Sequence, residues 1–195
     1  MAKAFSETEM ALIRQKLIEN CRICWERYGY KKTGVAEIAA MAGISAGAFY
    51  TFFPSKEMLF VTTANAFQEN LYALLSDTKP PKPAKRDLAQ GFKLIIRELQ
   101  HNKWVFSVRE HYDVFLRKLP EGFLEQEQAK DLIDVANILK LYNVRPKVST
   151  EEITAVIHTI VMSLYFTDTI GRHHDFALET LIDLAVENLF EEERV

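Results

Sequence analysis

The chain has 195 residues, of which 48% are hydrophobic and 26% charged, and its formal net charge is −3. These values are ordinary for a globular protein, and this length can bury one sizeable core or two modest ones. With only 7 Gly and 6 Pro, and no Asn-Gly or Asp-Gly pair to mark a hairpin, the composition argues against a β protein and favours an all-α fold.

The first predicted helix follows a capping box. The Ser6 hydroxyl can accept from the backbone N–H of Glu9, whose carboxylate can reach back, so we expect a helix from residue 7 to about 28, ended by Gly29. Its apolar face carries Cys21 and Cys24. A C-x-x-C pair needs further ligands or a βαβ setting to bind metal or to cycle redox, and neither is visible. We interpret both cysteines as buried small hydrophobes, with a redox sensor as the alternative.

Residues 34–53 predict two short helices joined by a tight turn. The first is expected near 35–41, followed by a turn at Gly43, and the second near 45–52, with the Ser45 hydroxyl as its N-cap. The second helix begins with small residues at 46–48 and continues with aromatic residues at 49, 50, 52 and 53. Such a unit, small-faced at the N-terminal end of its second helix, suits insertion into the major groove of DNA.

Six further helices complete a predicted layout of about nine. One runs from Lys56, capped by Ser55, to about residue 76, and prolines at 80, 81 and 83 then break the chain. The others are expected near residues 84–101, 104–118, 121–142, 150–172 and 175–192. Ser149 and Glu152 form a second capping box, and Asp175 can cap the final helix.

The last two long helices are apolar on more than one stripe, whereas a helix with a single core contact needs one stripe about 100° wide. The excess predicts a second partner surface, and the alternative is that both are central helices of a monomer. The apolar residues are Ile153, Val156, Ile157, Ile160, Val161, Leu164 and Tyr165 in the first and Leu178, Leu181, Ile182, Leu184, Ala185, Val186 and Leu189 in the second.

Charge is distributed unevenly along the chain. Residues 1–56 hold eight Lys or Arg and five Asp or Glu, while the remainder is acidic overall. A mildly basic N-terminal part fits a module that binds phosphates, and chance fluctuation is the alternative. The longest apolar stretch, residues 153–166, is too short to cross a bilayer, and residues 1–5 lack the apolar run of a signal peptide, so we expect a cytoplasmic protein without a membrane partner.

A run of specific residues resembles the N-terminal domain of the TetR family of bacterial transcriptional regulators. The matching residues are Tyr28-Gly29-Tyr30, Thr33, Glu37-Ile38-Ala39, Ala42-Gly43-Ile44-Ser45, Gly47, Phe49-Tyr50, Phe52-Phe53 and Ser55-Lys56-Glu57. The resemblance implies a helix-turn-helix DNA-binding domain over residues 1–55 and a helical effector-binding and dimerisation domain over 56–195. It also implies a homodimer through the last two long helices. Two departures are Gly34, where the family usually has a capping Ser or Thr, and the small Ala46 and Ala48.

The resemblance also implies which residues contact DNA. Thr33, Tyr50 and Lys56 would donate to backbone phosphates, and the N-terminus of the helix begun by Lys56 would add to the attraction. The groove floor would be faced by Ser45, Ala46, Gly47 and Ala48, with Thr51 close to bases or phosphate. For Tyr50 the alternative is a core aromatic. Lys3, Lys31 and Lys32 can add phosphate contacts or simply be solvated.

No catalytic or metal-binding constellation is visible in the sequence. The nucleophile-elbow, phosphate-loop and zinc-protease motifs are absent, the histidines lack ligand spacing, and His173-His174 is interpreted as a solvated or capping pair in a turn. We therefore expect neither an enzyme nor a metal or other cofactor. The aromatic residues after Lys56 are individually typical of a core, but together they fit an apolar effector pocket. Its candidate residues are Phe92, Trp104, His111, Tyr112, Phe115, Asn137, Tyr165 and Asp168.

These observations predict a homodimeric repressor that a small-molecule effector releases from a palindromic operator on double-stranded DNA. One alternative is a DNA-binding regulator or architectural protein with no small-molecule effector. Another is an enzyme or binding module whose helix-turn-helix is vestigial.

Overall fold

A computed structural model describes residues 5–192 as a helical protein with a two-stranded sheet. In chain order the elements are α1 (Glu7–Lys32), α2 (Val35–Met41), α3 (Ala46–Phe49), α4 (Lys56–Thr78), α5 (Lys85–His101), a 3-10 helix (Lys103–His111), α6 (Tyr112–Leu116), α7 (Phe123–Leu141), β1 (Val144–Pro146), α8 (Thr150–Ser163), a 3-10 helix (Leu164–Phe166), α9 (Thr167–Ile170), α10 (His174–Leu189) and β2 (Phe190–Glu192). The predicted all-α class is confirmed.

The chain divides into two compact units. The N-terminal unit comprises residues 1–69 and 103–119, and the C-terminal unit comprises 70–102 and 120–195. Residues 103–119 therefore pack with α1 and the first part of α4, although they follow the proline-rich break in sequence. The division into a DNA-binding domain over residues 1–55 and an effector-binding and dimerisation domain over 56–195 remains a prediction.

The core of the N-terminal unit is largely aromatic. Trp25 packs against Phe60, with ring centroids 4.5 Å apart, and against Trp104 at 4.8 Å. Tyr30 meets Phe115 edge to face at 5.4 Å. These contacts join α1, α4 and the 103–119 segment, so α1 has packing partners on more than one side. The sequence predicted that α1 ends at Gly29; the φ of 72° there does take the backbone out of helical geometry, but the helix resumes and ends at Lys32.

The C-terminal unit is built around α5, α7, α8 and α10. Gly91 of α5 lies so close to the buried Tyr142 that a Cβ there would be 2.4 Å from the phenol oxygen. The strands pair antiparallel, Val144 opposite Glu192 and Pro146 opposite Phe190. No hairpin pattern marks this sheet because its strands come from distant parts of the chain. The final helix consequently ends at Leu189, three residues earlier than predicted.

Several predicted boundaries are corrected by the structure. The helices expected near 104–118 and 150–172 are each divided by 3-10 geometry, and that near 45–52 is a four-residue α3. Ser163 donates to the Ile160 carbonyl at the end of α8. Gly171, with a φ of 86°, ends α9. The capping boxes at Ser6 and Ser149 are confirmed.

Asp175 does not cap the final helix as predicted. The residue at that N-cap is His173, which makes no side-chain capping bond, and the Asp175 carboxylate accepts from the Gln100 amide at 2.7 Å. The prediction of a solvated or capping His pair is wrong for His174, which is 3% exposed and lies 3.2 Å from the Ser163 hydroxyl.

The helical stretch 150–170 is long and apolar enough, by length and composition, to cross a membrane. It extends beyond the 153–166 stretch that the sequence marked as too short. Only 17% of its apolar window is buried within the described chain. The 3-10 turn at residues 164–166 interrupts it. Core helices of water-soluble proteins pass the same test, so length and composition alone do not assign it to a bilayer.

Candidate nucleic-acid interface

The helix-turn-helix forms as predicted, around a small buried core. Ile38 and Phe49 are fully buried, and Gly43 makes the turn between α2 and α3 with a φ of 79°. The Ser45 hydroxyl caps α3 by accepting from the Ala48 N–H at 3.1 Å. Gly34 is the N-cap of α2 and supplies no side-chain bond there, as the sequence predicted.

The N-terminal end of α3 is open to solvent. Ser45, Ala46 and Gly47 are exposed and Ala48 is partly buried, so the predicted groove-facing residues lie together on one accessible end. Their small side chains allow a close approach of backbone to DNA, and alanine methyl groups can pack on thymine methyl groups. Thr51 is also exposed.

Tyr50 lies on the outside of the aromatic cluster, not within it. Its side chain is 59% exposed, whereas Phe49 and Phe53 are buried. The Tyr50 ring packs edge to face on Phe49 at 5.2 Å. This orientation makes the phenol available to a phosphate and argues against the alternative of a core aromatic.

Arg14 of α1 supports the residues that follow α3. Its guanidinium donates to the Phe52 carbonyl at 2.9 Å and lies 4.3 Å from the centroid of the Phe53 ring. A four-residue helix has too few backbone hydrogen bonds to hold itself in water, so its orientation depends on such tertiary contacts. This role could not be predicted from the sequence, because an exposed arginine on a helix shows no sign of its distant partner.

Thr33 is buried and its hydroxyl is engaged within the protein. The side chain is 1% exposed, and Oγ1 donates to the Gly29 carbonyl at 2.8 Å. A phosphate contact through this hydroxyl would require that bond to break. The contact predicted for Thr33 therefore stays a prediction that this geometry does not favour.

Lys56 is half-buried at the start of α4. Its ammonium donates to the Tyr30 carbonyl at 2.7 Å and lies 4.4 Å from the centroid of the Tyr30 ring. Burial, opposed by the charge of Glu57, lowers the pKa of Lys56. Since an ammonium has three donors and the Tyr30 carbonyl takes one, Lys56 can bind this carbonyl and a phosphate together.

Glu57 is the central acceptor of a polar cluster that the sequence analysis did not single out. The side chain is 5% exposed, and Oε1 accepts from the Tyr30 hydroxyl at 2.7 Å and from the Lys118 ammonium at 3.1 Å. Burial favours the neutral acid, but the hydrogen bonds from Tyr30, the backbone and Lys118 outweigh it and lower the pKa of Glu57. Burial also raises the pKa of the Tyr30 phenol, so the proton stays on Tyr30.

Two further predictions concern the surroundings of the motif. Lys31 and Lys32 are exposed, while Lys3 lies outside the described residues. Cys21 and Cys24 are buried, as predicted, and burial raises the pKa of the Cys21 thiol to about 12. A thiol so far from its thiolate form is unsuited to redox sensing.

The predicted effector residues are divided between the two units. Trp104 and Phe115 belong to the aromatic core of the N-terminal unit. His111 is partly buried in this unit and Tyr112 is 50% exposed. The members in the C-terminal unit are Phe92 and Tyr165, both partly buried, and Asn137 and Asp168, both exposed.

A surface cleft of about 350 Å³ beside α9 includes Asp168 of the predicted set. It is otherwise lined by Thr167, Gly171, Arg172, His174 and Asp175. Among the residues whose side chains the structure describes, no group of three or more His, Cys, Asp or Glu could hold a metal ion.

The capped turn, the buried α2–α3 core and the open α3 terminus define a DNA-binding helix-turn-helix domain. Residues 17–62 match the model for bacterial regulatory proteins of the tetR family. The N-terminal part of the chain therefore matches the TetR family, as the motifs predicted.

Three relatives illustrate the similarity. The HTH-type transcriptional regulator YuxN of Bacillus subtilis is 27% identical over 155 residues, 74% of this chain and 50% of the relative. The chain thus spans about half the length of this curated relative. RolR in complex with resorcinol superposes with a TM-score of 0.64 at 16% identity, covering 92% of this chain and 90% of RolR. The Thermus thermophilus repressor FadR in complex with lauroyl-CoA gives 0.61 at 21% identity, covering 93% and 97%. At these identities the two structures establish a shared fold.

Proposed function

We propose that the protein is a homodimeric transcriptional repressor that binds a palindromic operator through α3 and is released from it by a small-molecule effector. The observation that carries the DNA-binding part is the open N-terminal end of α3, with Ser45, Ala46 and Gly47 exposed beside the outward-facing Tyr50. With few groups able to hydrogen-bond base edges, readout would depend on methyl contacts, Thr51 and DNA shape.

The dimer is supported by apolar surface on the last helices. Phe176, Leu181 and Leu184 of α10 are 74%, 50% and 55% exposed, and Met162 of α8 is 52% exposed. Large apolar side chains concentrated on neighbouring helices indicate a protein contact surface. A second copy of the chain suits it, because two-fold symmetry pairs two α3 helices with the two halves of a palindrome.

The dimer is tested by Leu181→Glu and Leu184→Glu, which place charge on this surface. Ile133→Glu is the matched control, since Ile133 is 61% exposed on α7. We expect sedimentation equilibrium to show a dimer for the parent chain and the control, and monomers for the two α10 variants. Monomers in all four samples would overturn the dimer.

The effector-controlled release is supported by the solved relatives, which hold resorcinol in one case and lauroyl-CoA in another. For this chain, an effector must favour a conformation that fits DNA poorly, and the size of the response is bounded by its differential affinity for the two states. The alternative is a regulator or architectural protein without an effector. Absence of any DNA-releasing compound among metabolites linked to the regulated genes favours that alternative.

The first experiment is selection of DNA from sheared genomic fragments of the source organism at near-physiological salt. We expect enrichment of a palindromic site, and loss of that enrichment in the Tyr50→Phe, Lys56→Ala double variant. Uniform, salt-sensitive retention would indicate phosphate attraction alone and would overturn the proposed operator. Unchanged binding by the double variant would instead overturn the assigned contact residues.

A further inference from the structure

Two lysines lie near Glu57 in the N-terminal unit, and only one of them forms an ion pair with it. Lys118 forms the ion pair, with its ammonium 3.1 Å from Oε1. Lys56 donates instead to the Tyr30 carbonyl and rests over the rings of Tyr30 and Phe60. Among the described residues Glu57 therefore has Lys118 and the Tyr30 hydroxyl as its side-chain partners, although Lys56 is its neighbour in sequence.

The burial of Glu57 makes the choice of partner important. A carboxylate that is 5% exposed attracts a nearby cation more strongly than one in water, because the local dielectric is lower. The charge of Glu57 already acts on Lys56, where it opposes the effect of burial. Without Lys118, the carboxylate would be left with the neutral Tyr30 hydroxyl and would draw the Lys56 ammonium towards itself.

If Lys56 moved onto Glu57, the buried carboxylate would neutralise the charge of the Lys56 ammonium. Lys56 would then present less charge and fewer N–H donors to a phosphate. In the observed arrangement Lys118 pairs with Glu57 while 55% of its own side chain stays exposed. The Lys56 ammonium is left with an uncharged carbonyl and aromatic faces as its contacts, which hold it without neutralising its charge.

We propose that Lys118 is a positioning residue for DNA binding: by pairing with Glu57 it keeps the Lys56 ammonium available to a DNA phosphate. This proposal rests on the proposed function, in which Lys56 is a phosphate contact. It assigns a DNA-affinity role to a residue 61 positions after Glu57, outside the segment that matches the family.

The test measures binding of the full chain to mixed-sequence duplex DNA by fluorescence anisotropy over a series of salt concentrations up to about 0.15 M, because phosphate contacts do not require an operator. We expect Lys118→Gln to weaken binding about tenfold. It should also reduce the slope of log K against log salt by about one per protomer, as loss of one phosphate contact does. Lys118→Arg retains the ion pair and should bind like the parent chain.

The matched control is Arg117→Gln, which removes the same charge from the adjacent, exposed position. We expect it to change affinity less than twofold, since exposed charges are screened by salt. An equal loss for Arg117→Gln and Lys118→Gln would overturn the proposal in favour of general charge attraction.

A double-mutant cycle with Lys56→Ala separates positioning from direct contact. If Lys118 acts through Lys56, Lys118→Gln causes no further loss in the Lys56→Ala background. A further loss equal to that in the parent chain overturns the proposal. If Lys56→Ala weakens binding while Lys118→Gln does not, only the positioning role falls. If Lys56→Ala itself has no effect, the phosphate contact assigned under the proposed function fails as well.

A second comparison keeps the test decisive if Lys118→Gln alone is poorly folded. Glu57→Gln removes the charge that would draw Lys56, so adding Lys118→Gln to Glu57→Gln should leave DNA affinity unchanged. A loss of several-fold between these two variants, both shown to be folded by circular dichroism, overturns the proposal.

Discussion

The two units of the chain place charged side chains in contrasting ways. In the N-terminal unit, Glu57 is buried and joins α1, α4 and the residues after α6 at one point. In the C-terminal unit, the polar contacts form a ladder along α5 and α10, whose members are mostly exposed. Its rungs are Lys85–Glu187, Lys93–Asp183, Arg97–Glu179 and Gln100–Asp175.

The difference shows two uses of charge. A buried group with several hydrogen bonds specifies one geometry, because any displacement leaves it unsatisfied. A ladder of mostly exposed pairs contributes little to stability at its exposed rungs but favours one register of two antiparallel helices, and Lys93 is its buried member. The buried carboxylate of this comparison thus lies in the unit that carries the helix-turn-helix.

The largest expected loss of stability comes from a substitution in the C-terminal unit. It tests whether the packing of that unit tolerates added side-chain volume. Gly91→Ala places a Cβ against Tyr142 and Leu75, at 2.4 and 3.1 Å from their nearest atoms. Overpacking of this kind costs about 1–3 kcal/mol in spite of the better helix propensity of alanine. Urea unfolding should show this loss. Gly34→Ala, whose Cβ would meet nothing within 4 Å, is the control, and equal effects would contradict a specific clash.

The next test makes the same chemical change in both units. Glu57→Gln should reduce the free energy of unfolding by about 1–2 kcal/mol, because charge-assisted hydrogen bonds become neutral ones. Glu179→Gln removes an ion pair whose two side chains are about half exposed, and should change stability by less than about 0.5 kcal/mol. If chemical denaturation gave similar losses of unfolding free energy for the two variants, the contrast between the buried and the exposed carboxylate would be wrong.

The pH dependence of stability should have opposite signs in the two units. Because the pKa of Glu57 is lowered on folding, its contribution is present above the unfolded carboxyl pKa of about 4.3 and is lost as pH falls through the folded value. The hydrogen bond from His158 to Asp131 raises the pKa of His158. Its contribution is therefore present below about pH 6.5 and is lost as pH rises through the folded value.

Thermal unfolding across pH separates these contributions. Glu57→Gln should flatten the acid limb of the profile, and His158→Gln should flatten the limb around and above neutrality. The His158 effect should be small, since its side chain is 48% exposed. A His158→Gln profile that changes on the acid side would contradict the assignment.

The smallest expected change in stability concerns the N-cap of α2 in the helix-turn-helix. Gly34→Ser adds a capping hydroxyl to α2 at a position with extended backbone and open space around it. We expect a gain of a few tenths of a kcal/mol in the free energy of unfolding. A loss of stability would show that the N-cap of α2 requires glycine.

Local patterns predicted most of the helix N-termini, with the cap expected at Asp175 as an exception. The caps at Ser6, Ser45, Ser55 and Ser149 depend on residues within four positions of each other, so they are visible in the chain itself. The buried face of α2 and the exposure of the α3 terminus follow from the same short-range periodicity.

Contacts between distant residues could not be predicted in this way. The pairing of residues 144–146 with 190–192, the bond from Arg14 to Phe52 and the Lys118–Glu57 pair all join segments that no periodicity relates. The predicted effector residues show the same limit, since an aromatic side chain such as Trp104 has the same pattern whether it lines a cavity or fills a core. Ser107, which accepts from Trp25 at 2.6 Å, had no distinguishing neighbour in sequence.

Under the proposed DNA-binding role of α3, the openness of its N-terminal end separates DNA preference from folding. Ala46 and Gly47 are exposed, while the packing that secures this turn comes from Phe49, Arg14 and the Ser45 cap. Substitutions at positions 46 and 47 therefore do not disturb the packing of the core. A lineage, or a protein engineer, can change the operator that such a domain prefers one residue at a time without first accumulating compensating mutations elsewhere.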